Sequence, residues 1–106
     1  MATEAVCGID AVPLGEARGY IVGSGPQAQA VAIVHTADDE WFALEDRCSH
    51  GRQQLSVGFV EDKAIECIAH GAMFDLESGN PLCPPASSPV KTFNATVVDG
   101  VVHVEL

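Results

Sequence analysis

The apolar runs of this chain are short, rich in β-branched residues and closed by turn formers. No stretch of ten residues keeps the i, i+3, i+4 spacing of an amphipathic helix. Together these features confine the chain to strands. Candidates are Tyr20–Val22, Ala30–His35, Trp41–Leu44, Ala64–Ile68, Thr92–Val98 and Val101–Leu106. Asp99-Gly100 joins the last two as a two-residue hairpin, because Gly tolerates the positive φ such a turn demands. Ala37-Asp38-Asp39 is expected to turn a second hairpin, from Ala30–His35 into Trp41–Leu44. With 10 Gly and 6 Pro in 106 residues, the chain suits a turn-rich β protein better than a helical bundle. The expected fold class is all-β, a sandwich or small barrel of short antiparallel strands. No repeat or linker interrupts the sequence, so residues 1–106 are read as a single domain.

Charge narrows the function. Asp plus Glu number 15 against 5 Lys plus Arg, a formal net charge of −10. Neutralising phosphates takes clustered basic residues, so nucleic acid is not an expected partner. An anionic membrane surface is disfavoured on the same ground, whereas a positively faced protein partner is the natural complement. No run reaches the roughly 18 apolar residues of a spanning helix. The opening residues carry no basic, apolar leader pattern, so a cytoplasmic location is expected. In that compartment the 4 Cys are thiols or metal ligands rather than a disulfide frame.

Two irregular segments interrupt the strand pattern, Asp46–Gly58 and Ala69–Pro89. Long loops in a compact domain are commonly functional, and these hold the chemistry. Cys48-Ser49-His50 lies in the first. Cys67-Ile68-Ala69-His70 enters the second, with sixteen residues between the two motifs. Two thiolates and two imidazoles suit zinc or an iron–sulfur centre. Zinc fingers and ribbons usually pair like with like at short spacing. Here each loop brings one Cys and one His, followed by Gly51 and Gly71. A two-iron cluster needs that division if one iron takes both thiolates and the other both imidazoles.

With these residues in view, the sequence resembles the Rieske-type [2Fe–2S] ferredoxins, the small electron carriers of bacterial multicomponent ring-hydroxylating dioxygenases. The likeness runs from Ala30 onward. It extends to Leu55-Ser56-Val57-Gly58, to His70-Gly71-Ala72-Met73-Phe74-Asp75, to Gly79 with Pro84-Pro85-Ala86, and to Pro89-Val90-Lys91. Ile68-Ala69 departs from the bulkier or proline-containing pairs common between the second ligands. The resemblance implies an antiparallel β-sandwich whose small cluster-binding subdomain covers about residues 45–89. It implies that Cys48 and Cys67 bind the inner iron of one Rieske [2Fe–2S] cluster, that His50 and His70 bind the outer iron, and that Pro84-Pro85 form a third covering loop. High-potential relatives add a cysteine to each ligand loop; Gln53 and Ala69 stand at those positions, so that disulfide is missing. They also carry a serine and a tyrosine where this chain has Ala72 and Phe74, which implies a low reduction potential.

The implied function is a monomeric one-electron carrier, not an enzyme. It would take electrons from an NAD(P)H-dependent flavin reductase and pass them to a terminal Rieske oxygenase, of carbazole or another aromatic pathway. Two alternatives stand beside it: the small Rieske-like subunit of an assimilatory nitrite reductase, and a zinc-stabilised binding module. Cys7 and Cys83 are expected as unpaired thiols, with a pair between them as the alternative. His35 and His103 are expected to be structural, and Trp41 and Phe42 to place at least one ring in the core. Glu45, Asp46 and Glu66 are either a docking rim or simply solvated carboxylates.

Overall fold

The computed structural model describes residues 3–23, 25–47, 54–68, 71–83 and 88–105, the side chains of Gln27 and Cys83 excepted. Among them run ten strands: β1 (Thr3–Gly8), β2 (Glu16–Val22), β3 (Gln29–His35), β4 (Trp41–Glu45), β5 (Phe59–Glu61), β6 (Ala64–Glu66), β7 (Met73–Asp75), β8 (Pro81–Cys83), β9 (Thr92–Val98) and β10 (Val101–Glu105). The only helical pieces among the described residues are three 3-10 turns of three residues each. The all-β expectation therefore holds. Strands β1-β10-β9-β4-β3-β2 form a six-stranded sheet, and β5-β6-β7-β8 a four-stranded one. Every pairing is antiparallel.

The period-2 alternation of strand side chains explains how the two sheets share material. Val31 and Ile33 of β3 pack with Val12, Val22, Ala43, Val102 and Val104 in one core of the large sheet. Their neighbour Val34 faces the other way. It joins Ala17 and Leu44 in a second core with Leu55, Ile65, Cys67, Phe74 and Leu76 from the smaller sheet and its approach. Strand β3 is therefore covered on both faces, and Val31, Ala32, Ile33 and Val34 are all fully buried. This accounts for its reading as a continuous apolar run rather than an alternating one.

Both expected hairpins form. Asp99 (φ 52°) and Gly100 (φ 75°) turn β9 into β10, and Val98 pairs with Val101. Between β3 and β4 the Thr36 N–H donates to the Glu40 carbonyl at 2.9 Å, and Asp39 takes φ 64°. A third turn, Asp62-Lys63 between β5 and β6, also uses a positive φ, 52° at Asp62, without a glycine to mark it in the sequence.

Other expectations need correction. The strand expected at Ala64–Ile68 stops at Glu66, because the chain bends straight after Cys67: the Gly71 N–H donates to the Cys67 carbonyl at 3.2 Å and Gly71 has φ 72°. Tyr20–Val22 is only the end of β2, which begins at Glu16. The segment Ala69–Pro89 is not one long loop, since β7 and β8 lie within it. Three residues are too few to display a period, and β8 opens on Pro81, which an edge strand tolerates. Edge strand β1 was missed because its alternation is broken by a bulge between Ala5 and Cys7.

Candidate metal centre

The ladder of the small sheet carries its described ends toward the expected ligands. Glu66 at the end of β6 pairs with Met73 at the start of β7, which pairs with Cys83 at the end of β8. Phe59 at the start of β5 also pairs with Glu66. Next in line stands Cys67, fully buried in the shared core. Its N–H donates to the Ala72 carbonyl at 2.7 Å, so one more rung closes the turn 67–72. Of the four expected ligands, Cys67 is described; Cys48, His50 and His70 lie outside the described residues, as do Pro84 and Pro85. Among the described residues no group of three or more His, Cys, Asp or Glu is placed to hold a metal ion.

The first ligand segment leaves the large sheet at β4 and reaches the small sheet at β5, strands that do not pair. Its described ends are joined by Asp46. The Ser56 N–H donates to Asp46 Oδ1 at 2.7 Å, the Ser56 hydroxyl to Oδ2 at 2.8 Å, and the Gln54 amide to Oδ2 at 3.2 Å. Asp46 is buried at 4% exposure, so it is neither docking rim nor solvated carboxylate. A charge is left that far from water only when hydrogen bonds compensate it. Room for it comes from Gly19 on β2, where a Cβ would stand 2.5 Å from Asp46 Oδ2 and 2.8 Å from Ser56 Oγ. Nothing in the sequence marks Asp46 and Ser56, ten positions apart, as partners. The nearest signal is a glycine inside a strand, which suggests close approach of another group. Of the other carboxylates, Glu45 is exposed and Glu66 half-buried.

The remaining expectations fall in the large sheet. His35 is structural: Nδ1 lies 2.8 Å from the Val12 carbonyl, Nε2 lies 2.5 Å from Asp39 Oδ1, and the ring stacks on Trp41 with centroids 3.9 Å apart. His103 sits mid-strand in β10, opposite Thr96 and Ala5. Trp41 packs against the core of the large sheet and Phe42 against the shared one. Cys7 carries a free thiol. Burial first, then a hydrogen bond with that thiol, pushes the Tyr20 hydroxyl above the usual tyrosine value. The side chain of Cys83 is outside the described residues.

Two segments, one leaving the large sheet after β4 and one joining β6 to β7, each carry one Cys and one His in sequence, the donor division of a Rieske-type centre. The family model described as Rieske [2Fe-2S] domain matches residues 3–94, and the chain belongs to that family. Its cofactor is a Rieske-type [2Fe–2S] cluster. The chain is 42% identical over 100 residues to the 3-phenylpropionate/cinnamic acid dioxygenase ferredoxin subunit of Photorhabdus laumondii, covering 93% of this chain and 90% of that one. Among solved structures it resembles a chain of the complex of reduced oxygenase and oxidized ferredoxin in carbazole 1,9a-dioxygenase. There the TM-score is 0.84 at 30% identity, over 96% of this chain and 91% of that one. The NADH-dependent nitrite reductase small subunit of Mycobacterium tuberculosis has the same fold (TM-score 0.84, 97% and 93% covered) at only 19% identity.

Proposed function

We propose that this chain is the ferredoxin component of a multicomponent aromatic-ring dioxygenase. It carries single electrons from an NAD(P)H-dependent flavin reductase to a terminal Rieske oxygenase, and acts as a cytoplasmic, single-domain monomer. The observation that carries the proposal is the 42% identity to a dioxygenase ferredoxin subunit along nearly the whole of both chains. Nitrite reductase small subunits share the fold at a level of identity that speaks for fold alone. A zinc module loses its basis with membership of the Rieske family.

The donor set fits the cluster. Two thiols and two imidazoles, divided one of each per loop, match the ligand count of a two-iron centre with mixed ligation. Cys67 sits in a fully buried, apolar position, which suits a thiolate whose charge is taken up by a metal. Cys48 and Cys67 would hold one iron, and His50 and His70 the other. When bound, the cluster supplies reversible uptake of one electron. The chain contributes the rest. The rung from Cys67 to Ala72 holds the second ligand turn in shape. Ala72 and Phe74, both fully buried, exclude water beneath it and donate no hydrogen bond from their side chains. A net charge of −10 keeps carriers apart and steers them to a basic partner face.

Reconstitution tests the proposal. Reductase and oxygenase of an aromatic pathway should form hydroxylated product only when this protein is added. Red-brown protein that supports no product with any such pair would overturn the carrier assignment, and colourless protein with stoichiometric zinc would overturn the cofactor as well.

A further inference from the structure

The two ligand segments are closed in different ways. The second, between β6 and β7, is a hairpin turn whose ends are tied by the backbone rung from the Cys67 N–H to the Ala72 carbonyl. The first connects strands of two different sheets, and no ladder runs between β4 and β5. In place of a rung stands the buried Asp46 carboxylate, which takes three hydrogen bonds from Gln54 and Ser56. Its own N–H is tied to the Ala30 carbonyl at 3.0 Å, anchoring it to β3. Leu55, between Gln54 and Ser56, is fully buried in the shared core, and Gly19 of β2 abuts the carboxylate. In sequence, the segment spanned by this clasp contains Cys48 and His50.

We propose that Asp46 is a positioning residue for the metal centre: its clasp on Ser56 and Gln54, fitted into the space Gly19 leaves, sets the separation of the ends of the first ligand segment. Through those ends it acts on the segment whose sequence carries Cys48 and His50. The inference rests on the four-ligand reading above. Burying a carboxylate is costly, and a hydrophobic residue would close the two sheets on each other without that cost. What the carboxylate adds is direction. Two oxygens aimed at one backbone N–H and one hydroxyl of the same residue fix the path of the chain at Ser56, as apolar packing does not.

The test compares holoprotein variants by the rate at which an iron chelator bleaches the cluster, and by the electron paramagnetic resonance spectrum of the dithionite-reduced protein. Asp46→Asn keeps the size but replaces one acceptor oxygen by a donor. It should release iron roughly tenfold faster, the lower end of what outer-shell partners of metal ligands contribute, with broadened or shifted g-values. Ser56→Ala, which leaves the backbone N–H bond in place, should give a smaller acceleration. Combined with Asp46→Asn it should add less than its single effect, since both act on one clasp. Gly19→Ala pushes a methyl into the carboxylate from another strand and should move both readouts in the same direction. Ile33→Val thins the core of the large sheet and serves as control: it should lower the unfolding temperature with wild-type bleaching rate and spectrum.

Wild-type rates and g-values in both Asp46→Asn and Gly19→Ala would overturn the proposal. So would acceleration in Ile33→Val equal to theirs at equal loss of unfolding temperature. If Asp46→Asn does not fold, Ser56→Ala and Gly19→Ala carry the test. A wild-type spectrum that survives in His50→Ala would instead overturn the ligand reading, which separates the two failures.

Discussion

The two sheets of this molecule are built on different economies. Strands of the large sheet run five to seven residues and pair over five or more positions, except at the two-position β4–β9 junction. Each strand of the small sheet has three residues, too short for a ladder alone to hold it. The large sheet has an apolar core of its own, whereas the small one contributes to a core it shares with β2, β3 and β4. Both sheets turn by hairpins, but the small sheet and its approaches are held in addition by individual polar ties: Asp46 to Ser56, Asp75 to Ser78, and the Val90 N–H to the Gly79 carbonyl at 2.9 Å. The scaffold is thus secured by long ladders, and the region expected to bear the metal depends more on single contacts. A region held by single contacts gains most from a bound metal, because metal binding adds folding free energy where short elements cannot.

The largest expected effect follows directly. Alanine at any one of Cys48, His50, Cys67 or His70 should abolish the two-iron spectrum, since two bridged irons need two ligands each. Hydrogen exchange on such a cluster-free variant should reveal the asymmetry, with protection lost in β5–β8 and retained in β3, β4, β9 and β10. Uniform loss across both sheets would break the comparison.

Core truncations come next. Phe74→Ala should cost about 3–5 kcal/mol and Ile33→Ala about 2–5 kcal/mol in chemical denaturation. Phe74 packs in the same cluster as Cys67, so its truncation should also lower the iron content of purified protein. Ile33 lies in the other core, and its variant should keep iron until the whole fold unfolds. Equal iron loss in the two would make the cores one cooperative unit.

How much of this asymmetry the sequence displays follows from element length. Thr92–Val98 was readable residue for residue, and Asp99-Gly100 announced its turn, because seven-residue strands and two-residue loops leave a periodic signal. Met73–Asp75 and Pro81–Cys83 left none, since three residues contain one and a half periods and one of them is a proline. The family and its cofactor were legible for another reason: ligand chemistry needs particular side chains at close spacing, whatever the backbone does between them. The partner of Asp46 was not legible. A carboxylate before a loop looks the same in sequence whether it is solvated or buried, and only the path that brings Ser56 and Gly19 to it decides.

A finer effect concerns the potential of the cluster. Hydrogen bonds to cluster sulfurs stabilise the reduced, more negative state, and the buried Ala72 and Phe74 provide none. Ala72→Ser combined with Phe74→Tyr should raise the potential by about 1–3 kcal/mol if both hydroxyls bond, which is about 40–130 mV for one electron at about 59 mV per tenfold change. Voltammetry at pH 7 checks it; an unchanged potential would place both side chains away from the sulfurs.

The smallest effect is a matter of pH. Hydrogen bonds from the Ser78 side chain first, and from its backbone, hold the Asp75 carboxyl below its ordinary value of 3.8. A carboxylate favoured in the folded state stabilises above its unfolded pKa and loses that contribution as pH falls through the folded one. Ser78→Ala should therefore narrow the stability difference between pH 6 and pH 3, by less than about 1 kcal/mol because the site is exposed. A difference as wide as in the wild type, followed by thermal unfolding at both pH values, would remove Asp75 from the ties of the small sheet.

The central claim, a small acidic scaffold presenting one Rieske cluster for single-electron transfer, is tested most directly by an anaerobic coulometric titration of the purified protein at pH 7. The account predicts uptake of one electron per chain with a midpoint at the low end of the Rieske range, near about −150 mV. No electron uptake, or a midpoint near the upper limit of about +300 mV, would contradict it.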